Sequence, residues 1–342
     1  MILTELLSAR PIPLWNIVKQ SGVNEIVALM RGAEQEQRTC PAAASRGSEK
    51  DPREHAPWSF ESLRRDKELF AEHGFSVVAI EDTPPMDLIR LGLPGRDEEI
   101  ENFITQLRAM GRLGIPVLGY NWMAVSSWTR TNVAVTGRGG ALVTGFDKAE
   151  SEGMPALAEP GSISPEQLWD GLRYFLDAIV PVAKEEGVQM GMHPDDPPLP
   201  QLRGIPRIMG SVDAYRRLLE LNPSDSNGIT FCQGNITLMT DDMPSLIHEW
   251  KDKIAYVHFR DVRGTADSFV ETFHDEGRTD MAECMRAYSQ IGFSGPMRPD
   301  HVPTMFGESN DNPSYGTLGR IFALGYIRGL EHATFGKARV TP

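Results

Sequence analysis

Short runs of strand-forming residues recur along this chain, separated by stretches of helical period, and that alternation limits the fold more than any other feature. The runs fall at 25–30 (EIVALM), 75–81 (FSVVAIE), 115–122, 188–193, 228–232, 254–258 and 295–298. A weaker run near 1–6 would make eight. Several are apolar throughout, as parallel strands covered on both faces must be. Between them, 97–113 carries Ile100, Phe103, Ile104, Leu107 and Met110 on one face, with Gly114 as a stop. Ser164-Pro165-Glu166-Gln167 opens a second helix with a cap and Pro in the first turn. Its stripe is Leu168, Leu172, Phe175, Leu176 and Ile179, and 212–221 repeats the pattern. The expected fold is α/β: a single (β/α)8 TIM barrel occupying residues 1–342 as one catalytic domain.

Two segments depart from the rhythm. Residues 31–57 are polar and lack periodicity, which reads as a surface insertion. Residues 130–147 alternate apolar and polar on either side of Gly137-Arg138-Gly139-Gly140. That pattern predicts an inserted β-hairpin, with the glycines as its turn and not as a phosphate loop.

Composition narrows the function. The 342 residues hold 34 Lys+Arg and 47 Asp+Glu, so the formal charge is 34 − 47 = −13. An acidic chain without a basic stripe is a poor nonspecific nucleic-acid binder, so no such partner is expected. Three scattered cysteines, Cys40, Cys232 and Cys284, do not make a disulfide framework. The first residues lack a leader pattern, and no apolar run approaches a membrane span. The expectation is a cytoplasmic protein without membrane attachment.

Polar residues gather where the strands end. His193 closes 188–193, Cys232 closes 228–232, His258 closes 254–258, and Asp300 and His301 follow 295–298. Taken singly, each has an ordinary reading: a strand-end His is usually hydrogen-bonded structure, and a buried Cys is an inert small hydrophobe. In a parallel barrel, however, the C-terminal strand ends form one face. His, Cys, His and Asp would meet there as an N/S/O set suited to a divalent transition metal and less suited to Mg2+ or Ca2+.

Several motifs resemble the metal-dependent D-mannonate dehydratases of the xylose-isomerase-like barrel superfamily. They are Leu91-Gly92-Leu93-Pro94-Gly95-Arg96-Asp97, Tyr120-Asn121-Trp122-Met123, Trp128-Thr129-Arg130-Thr131 and His193-Pro194-Asp195-Asp196-Pro197-Pro198. Further along come Gly204-Ile205-Pro206-Arg207, Phe231-Cys232-Gln233-Gly234, Met297-Arg298-Pro299-Asp300-His301 and Tyr315-Gly316. The resemblance implies metal ligation by His193, Cys232, His258 and Asp300, with Mn2+ as the usual ion and Fe2+, Co2+ or Mg2+ as alternatives. It also implies proton transfer by His301 and Tyr315, and a substrate pocket lined by Asn121, Arg130 and Arg260. Met30 stands where family members tend to carry a His, and Val302 where they carry a Gly after the Asp-His pair.

The implied reaction is loss of water from a sugar acid, which gives a 2-keto-3-deoxy acid in glucuronate catabolism. Tyr315, its pKa lowered by metal or Arg, is expected to take the C2 proton, and His301 to protonate the leaving hydroxyl; the reverse assignment stays open. Arg130 or Arg260 would pair the substrate carboxylate. The rival readings are a sugar isomerase or epimerase on the same barrel, a non-catalytic metal-binding descendant, and a phosphodiester-cleaving barrel enzyme. The resemblance also suggests a homo-oligomer, dimer or tetramer.

Overall fold

A computed structural model describes residues 1–30, 55–159 and 161–336. Most of the polar segment expected at 31–57 therefore lies outside the described residues. The strands are β1 (Ile2–Ser8), β2 (Glu25–Leu29), β3 (Ser76–Ile80), β4 (Val117–Asn121), β5 (Asn132–Thr136), β6 (Leu142–Asp147) and β7 (Gln189–His193). They continue with β8 (Gln201–Leu202), β9 (Ile205–Pro206), β10 (Asn227–Cys232), β11 (Ile254–His258), β12 (Val262–Thr265), β13 (Ser268–Glu271) and β14 (Pro296–Arg298).

Eight of these close a parallel barrel in the order β1-β14-β11-β10-β7-β4-β3-β2. Each of the eight apolar runs expected from the sequence, as distinct from the expected hairpin, belongs to it, within about two residues of its expected ends. Register then aligns the strand ends. Asn121 pairs with His193, Cys232 with His258, and His258 with Arg298. Residues far apart in sequence thus share one rim because parallel strands bring equivalent positions level.

The helices form as their caps and stripes require. Arg96–Leu113 starts one residue before the expected point and ends at Gly114, whose φ of 66° is the left-handed stop. In Pro165–Glu185 the Ser164 side chain accepts from the Gln167 backbone N–H. That helix buries Phe175 against Phe103 and Trp122. Each such aromatic contributes roughly 1.5–3 kcal/mol by leaving water. Inside the barrel, Val27, Ala79, Val117, Ala255 and Tyr256 form a separate small core. In a barrel of this kind the C-terminal strand ends carry the chemistry.

The expected hairpin exists, with β5 and β6 antiparallel and a 3-10 turn at Arg138–Gly140. A second hairpin, β12–β13, was not foreseen. It joins the first in a four-stranded sheet of order β12-β13-β6-β5. Its strands are four residues each, and β12 reads Val-Arg-Gly-Thr, too polar to stand out as a strand. The sheet also clasps the segment after β14 through Leu142 and Thr304, whose backbones exchange hydrogen bonds of 2.9 and 2.8 Å. No helix among the described residues is long and apolar enough to cross a membrane.

Candidate metal centre and its proton-transfer residues

His193, Cys232 and His258 converge at the rim, with one candidate ligand atom from each lying within 4.8 Å of the others. The imidazoles are positioned by their outer nitrogens. His193 Nδ1 lies 2.7 Å from the Pro194 carbonyl, which leaves Nε2 for the centre. His258 Nε2 lies 3.3 Å from Glu81 Oε2, and its Nδ1 faces Asp300 Oδ2 at 3.6 Å. That Nδ1 is buried and has no hydrogen-bond partner. A buried polar atom left so costs about 1–3 kcal/mol, and a cation among these three residues would satisfy it. A carboxylate behind a ligating His is the arrangement that fixes its ring and raises its basicity.

Asp300 completes the rim, with Oδ2 4.0 Å from Cys232 Sγ. Burial would raise its pKa, but His301, Arg298, His258 and Arg260 together hold it well below the usual carboxylate range. Arg260 Nε reaches it at 2.7 Å and Arg298 at 2.9 Å. The donor set is two imidazoles, a thiol and an ionised carboxylate, which fits a borderline divalent ion. Cys232 Sγ also contacts Asn235 Oδ1 at 2.9 Å.

Behind the rim lies a buried ionic network. Arg130 meets Asp196 at 2.6 Å and Glu271 at 2.5 Å. Arg260 meets Asp196 and Glu271 at 2.9 Å each, and Asn235 Oδ1 at 2.7 Å. Gly234 makes room for this: a Cβ there would overlap the Arg260 guanidinium. The expectation that Arg130 or Arg260 pairs the substrate carboxylate meets a site in which both guanidiniums already have protein carboxylate partners. Both are buried, at 3% and 1% exposure, and both point into protein carboxylates. Arg260 pairs with Asp300, Glu271 and Asp196, and Arg130 with Glu271 and Asp196. Asn121 is similarly engaged, its Oδ1 accepting from Arg90 at 3.0 Å and from the Met123 backbone at 3.1 Å.

His301 and Tyr315 stand together beside the centre, their rings 5.6 Å apart and edge to face. Trp128 covers His301 from another side at 4.7 Å. His301 Nδ1 is 2.9 Å from Glu271 Oε1. The lowered phenol pKa expected for Tyr315 does not hold in the protein alone. Burial and the Asp300 carboxylate raise it, and Arg298 and Arg320 offset this only in part. Tyr315 is consequently a protonated phenol at neutral pH, able to donate.

Three groups escaped the sequence reading. Glu81 directly follows β3 and ties together Arg298, Tyr256 and His258. Asp196 sits within a recognised motif but had no assigned partner. Glu271 lies in the unforeseen hairpin. A strand-ending carboxylate after Val-Val-Ala-Ile was the available signal for Glu81; nothing local marks Glu271.

His274 is also buried, and among the described residues neither ring nitrogen has a well-formed hydrogen bond. Desolvation lowers its pKa from 6.5 to about 4, against the pull of Asp300 and Glu271. The folded state thus refuses a proton that the unfolded chain accepts, so stability is lost as pH falls from 6.5 to 4. Asp261, pushed up to about 6 by burial, acts with the opposite sign, so the comparison must be between variants. His274→Gln is expected to flatten the stability profile in that window by roughly 3 kcal/mol, read from urea midpoints at each pH. An unchanged slope would show that His274 is not the acid-sensitive group.

Comparison with known proteins shows what the chain is similar to. The sequence family described as D-mannonate dehydratase (UxuA) matches residues 8–158 and 154–340. A mannonate dehydratase of Enterococcus faecalis is 33% identical over 314 residues, covering 82% of this chain and 87% of that protein. One from Streptococcus pneumoniae is 34% identical over 313 residues, covering 83% and 85%. The crystal structure of mannonate dehydratase from Streptococcus suis serotype 2 superposes with a TM-score of 0.87 at 31% identity, covering 100% of this chain and 98% of that one. The E. coli 3-keto-D-glucoside 4-epimerase YcjR, at 13% identity and a TM-score of 0.59, shares the barrel fold alone.

Proposed function

The chain belongs to the D-mannonate dehydratase family, and from that premise we propose that it converts D-mannonate to 2-keto-3-deoxy-D-gluconate and water. It is a carbon–oxygen lyase of the hydro-lyase type. His193, Cys232, His258 and Asp300 would hold a divalent ion, with Mn2+ the first choice for this mixed donor set. When bound, that ion supplies Lewis-acid stabilisation of the substrate carboxylate and 2-hydroxyl. The observation that carries the reading is the unpartnered Nδ1 of His258, buried among His193, Cys232 and Asp300 and close to a His–Tyr pair.

The protein's own groups then divide the proton work. The C2–H bond lies next to a carboxylate, and His301 takes its proton. The C3–O bond breaks as Tyr315 gives its proton to the departing hydroxyl, which leaves as water. The resulting enol tautomerises to the 2-keto-3-deoxy acid. This ordering exchanges the two roles first expected; it is supported by the Glu271 carboxylate 2.9 Å from His301 Nδ1, and by the burial and the Asp300 carboxylate that push the Tyr315 phenol up. Arg130 and Arg260 keep the carboxylates of the site ionised and in place. We place the reaction in glucuronate catabolism in the cytoplasm and expect a homo-oligomer of single-domain subunits, as the family resemblance suggests.

The test is an assay for 2-keto-3-deoxy acids with Mn2+ and a panel of hexonates. D-mannonate should give product, a chelator should stop it, and restored Mn2+ should recover it. Product from another aldonate alone would move the substrate assignment. No product from any sugar acid, with bound metal confirmed, would sink the dehydratase reading.

A further inference from the structure

We infer that Glu271 is the positioning residue of His301, fixing the imidazole with its hydrogen on Nδ1 and leaving Nε2 as the nitrogen that accepts the substrate proton. The inference rests on the proposed role of His301 and goes beyond it, since Glu271 comes from a hairpin outside the barrel.

The geometry leaves little freedom. Glu271 Oε1 is 2.9 Å from His301 Nδ1, and the Glu271 side chain is 2% exposed. Burial would favour the neutral acid, but Arg260, His301 and Arg130 overcome that and lower the pKa to about 2. Glu271 is thus an ionised carboxylate that only accepts, so the nitrogen facing it must carry the hydrogen. Arg130 lies 3.3 Å from the same Nδ1, but a guanidinium only donates, and its hydrogen goes to Glu271 Oε1 at 2.5 Å. Trp128 and Tyr315 bracket the ring and resist the flip that would present Nε2 to Glu271.

The anchoring of Glu271 is equally specific. It pairs in register with Val262 across the β12–β13 hairpin. Both its oxygens accept from Arg260, at 3.0 and 2.9 Å. The added sheet thereby delivers to the barrel rim a carboxylate that no barrel strand supplies. A histidine with its tautomer fixed in this way is a better base than one dividing its hydrogen between two nitrogens.

The competing account is that Glu271 merely balances the charge of Arg130 and Arg260. A double-mutant cycle separates the two. Glu271→Gln should lower kcat on D-mannonate about 100-fold with KM within about threefold, while bound Mn2+ is unchanged. In a His301→Ala background the same change should cost no more than about twofold, because the group it positions is gone. An equal loss in both backgrounds would overturn the inference in favour of charge balance, and full activity of Glu271→Gln would overturn it outright.

A second readout does not depend on the substrate. In protein labelled with 15N-histidine and loaded with diamagnetic Mg2+, the His301 signals are identified by their loss in His301→Ala. In the neutral ring the hydrogen should sit on Nδ1 and not on Nε2. Glu271→Gln should spread the hydrogen over both nitrogens. An unprotonated Nδ1 in the unmodified protein, or no change in Glu271→Gln, would refute the inference. If D-mannonate is not turned over at all, the functional reading fails, and this spectrum alone decides the role of Glu271. Should Glu271→Gln not fold, Glu271→Asp keeps the charge, lengthens the contact and carries both readouts, with a smaller expected loss.

Discussion

Cys232→Ala is expected to lose metal and activity together. The thiol is fully buried at the end of β10, level with His258 on the neighbouring strand. Among the described residues its hydrogen-bond contacts are Asn235 at 2.9 Å and a 4.0 Å approach to Asp300. Removing it therefore leaves the barrel intact, at a cost on the order of 1–2 kcal/mol for a small buried group. The effect on a bound ion is much larger. Loss of even an outer partner of a metal ligand weakens affinity ~10–100-fold, and loss of a thiolate ligand should exceed the upper figure. Metal content after gel filtration and 2-keto-3-deoxy acid formation should fall in parallel. High Mn2+ should restore part of the activity by mass action, since His193, His258 and Asp300 remain. Full metal content and full rate in Cys232→Ala would remove the residue from the ligand set.

Tyr315→Phe is expected to separate what Cys232→Ala joins: metal is kept and turnover is lost. The substitution deletes one oxygen and leaves the ring. The edge-to-face contact with His301 at 5.6 Å and the Arg320 guanidinium 5.2 Å from the ring should persist. What disappears is a phenol held protonated by burial and by Asp300. A positioned acid contributes ~10²–10⁴-fold to a rate, so kcat should fall by that order while KM changes little. That corresponds to about 3–5 kcal/mol of transition-state stabilisation. A rate within a factor of about three of the parent would show that another group protonates the leaving hydroxyl. Together, the two variants distinguish an ion-holding group from a proton-moving one at sites joined by Asp300.

The barrel was legible because its strands are apolar runs bounded by capped helices, and such runs have few other fates. The rim residues were legible for a related reason. His193, Cys232, His258 and Asp300 each end or follow a strand, and parallel register makes those ends neighbours. The β5–β6 hairpin announced itself by alternation around glycines. β12–β13 did not, because Val262–Thr265 is mostly polar and short. The carboxylate partners of the arginines were not legible, for an electrostatic reason. An arginine in a substrate-like motif looks available until the carboxylates near it are known. Asp196 lies 66 residues from Arg130, and Glu271 lies 141 residues away.

What the sequence determined by itself is the closed barrel, the strand-end donors and the family to which they belong. These follow from local periodicity and from side chains placed at strand ends. Only the tertiary structure decided how the donors are tuned. It set that Nδ1 of His258 faces Asp300, and which carboxylates neutralise Arg130 and Arg260. It also brought Glu271 from an added hairpin to His301. Those outcomes depend on burial and on charges brought together over long sequence separations, and neither quantity exists until the chain has folded.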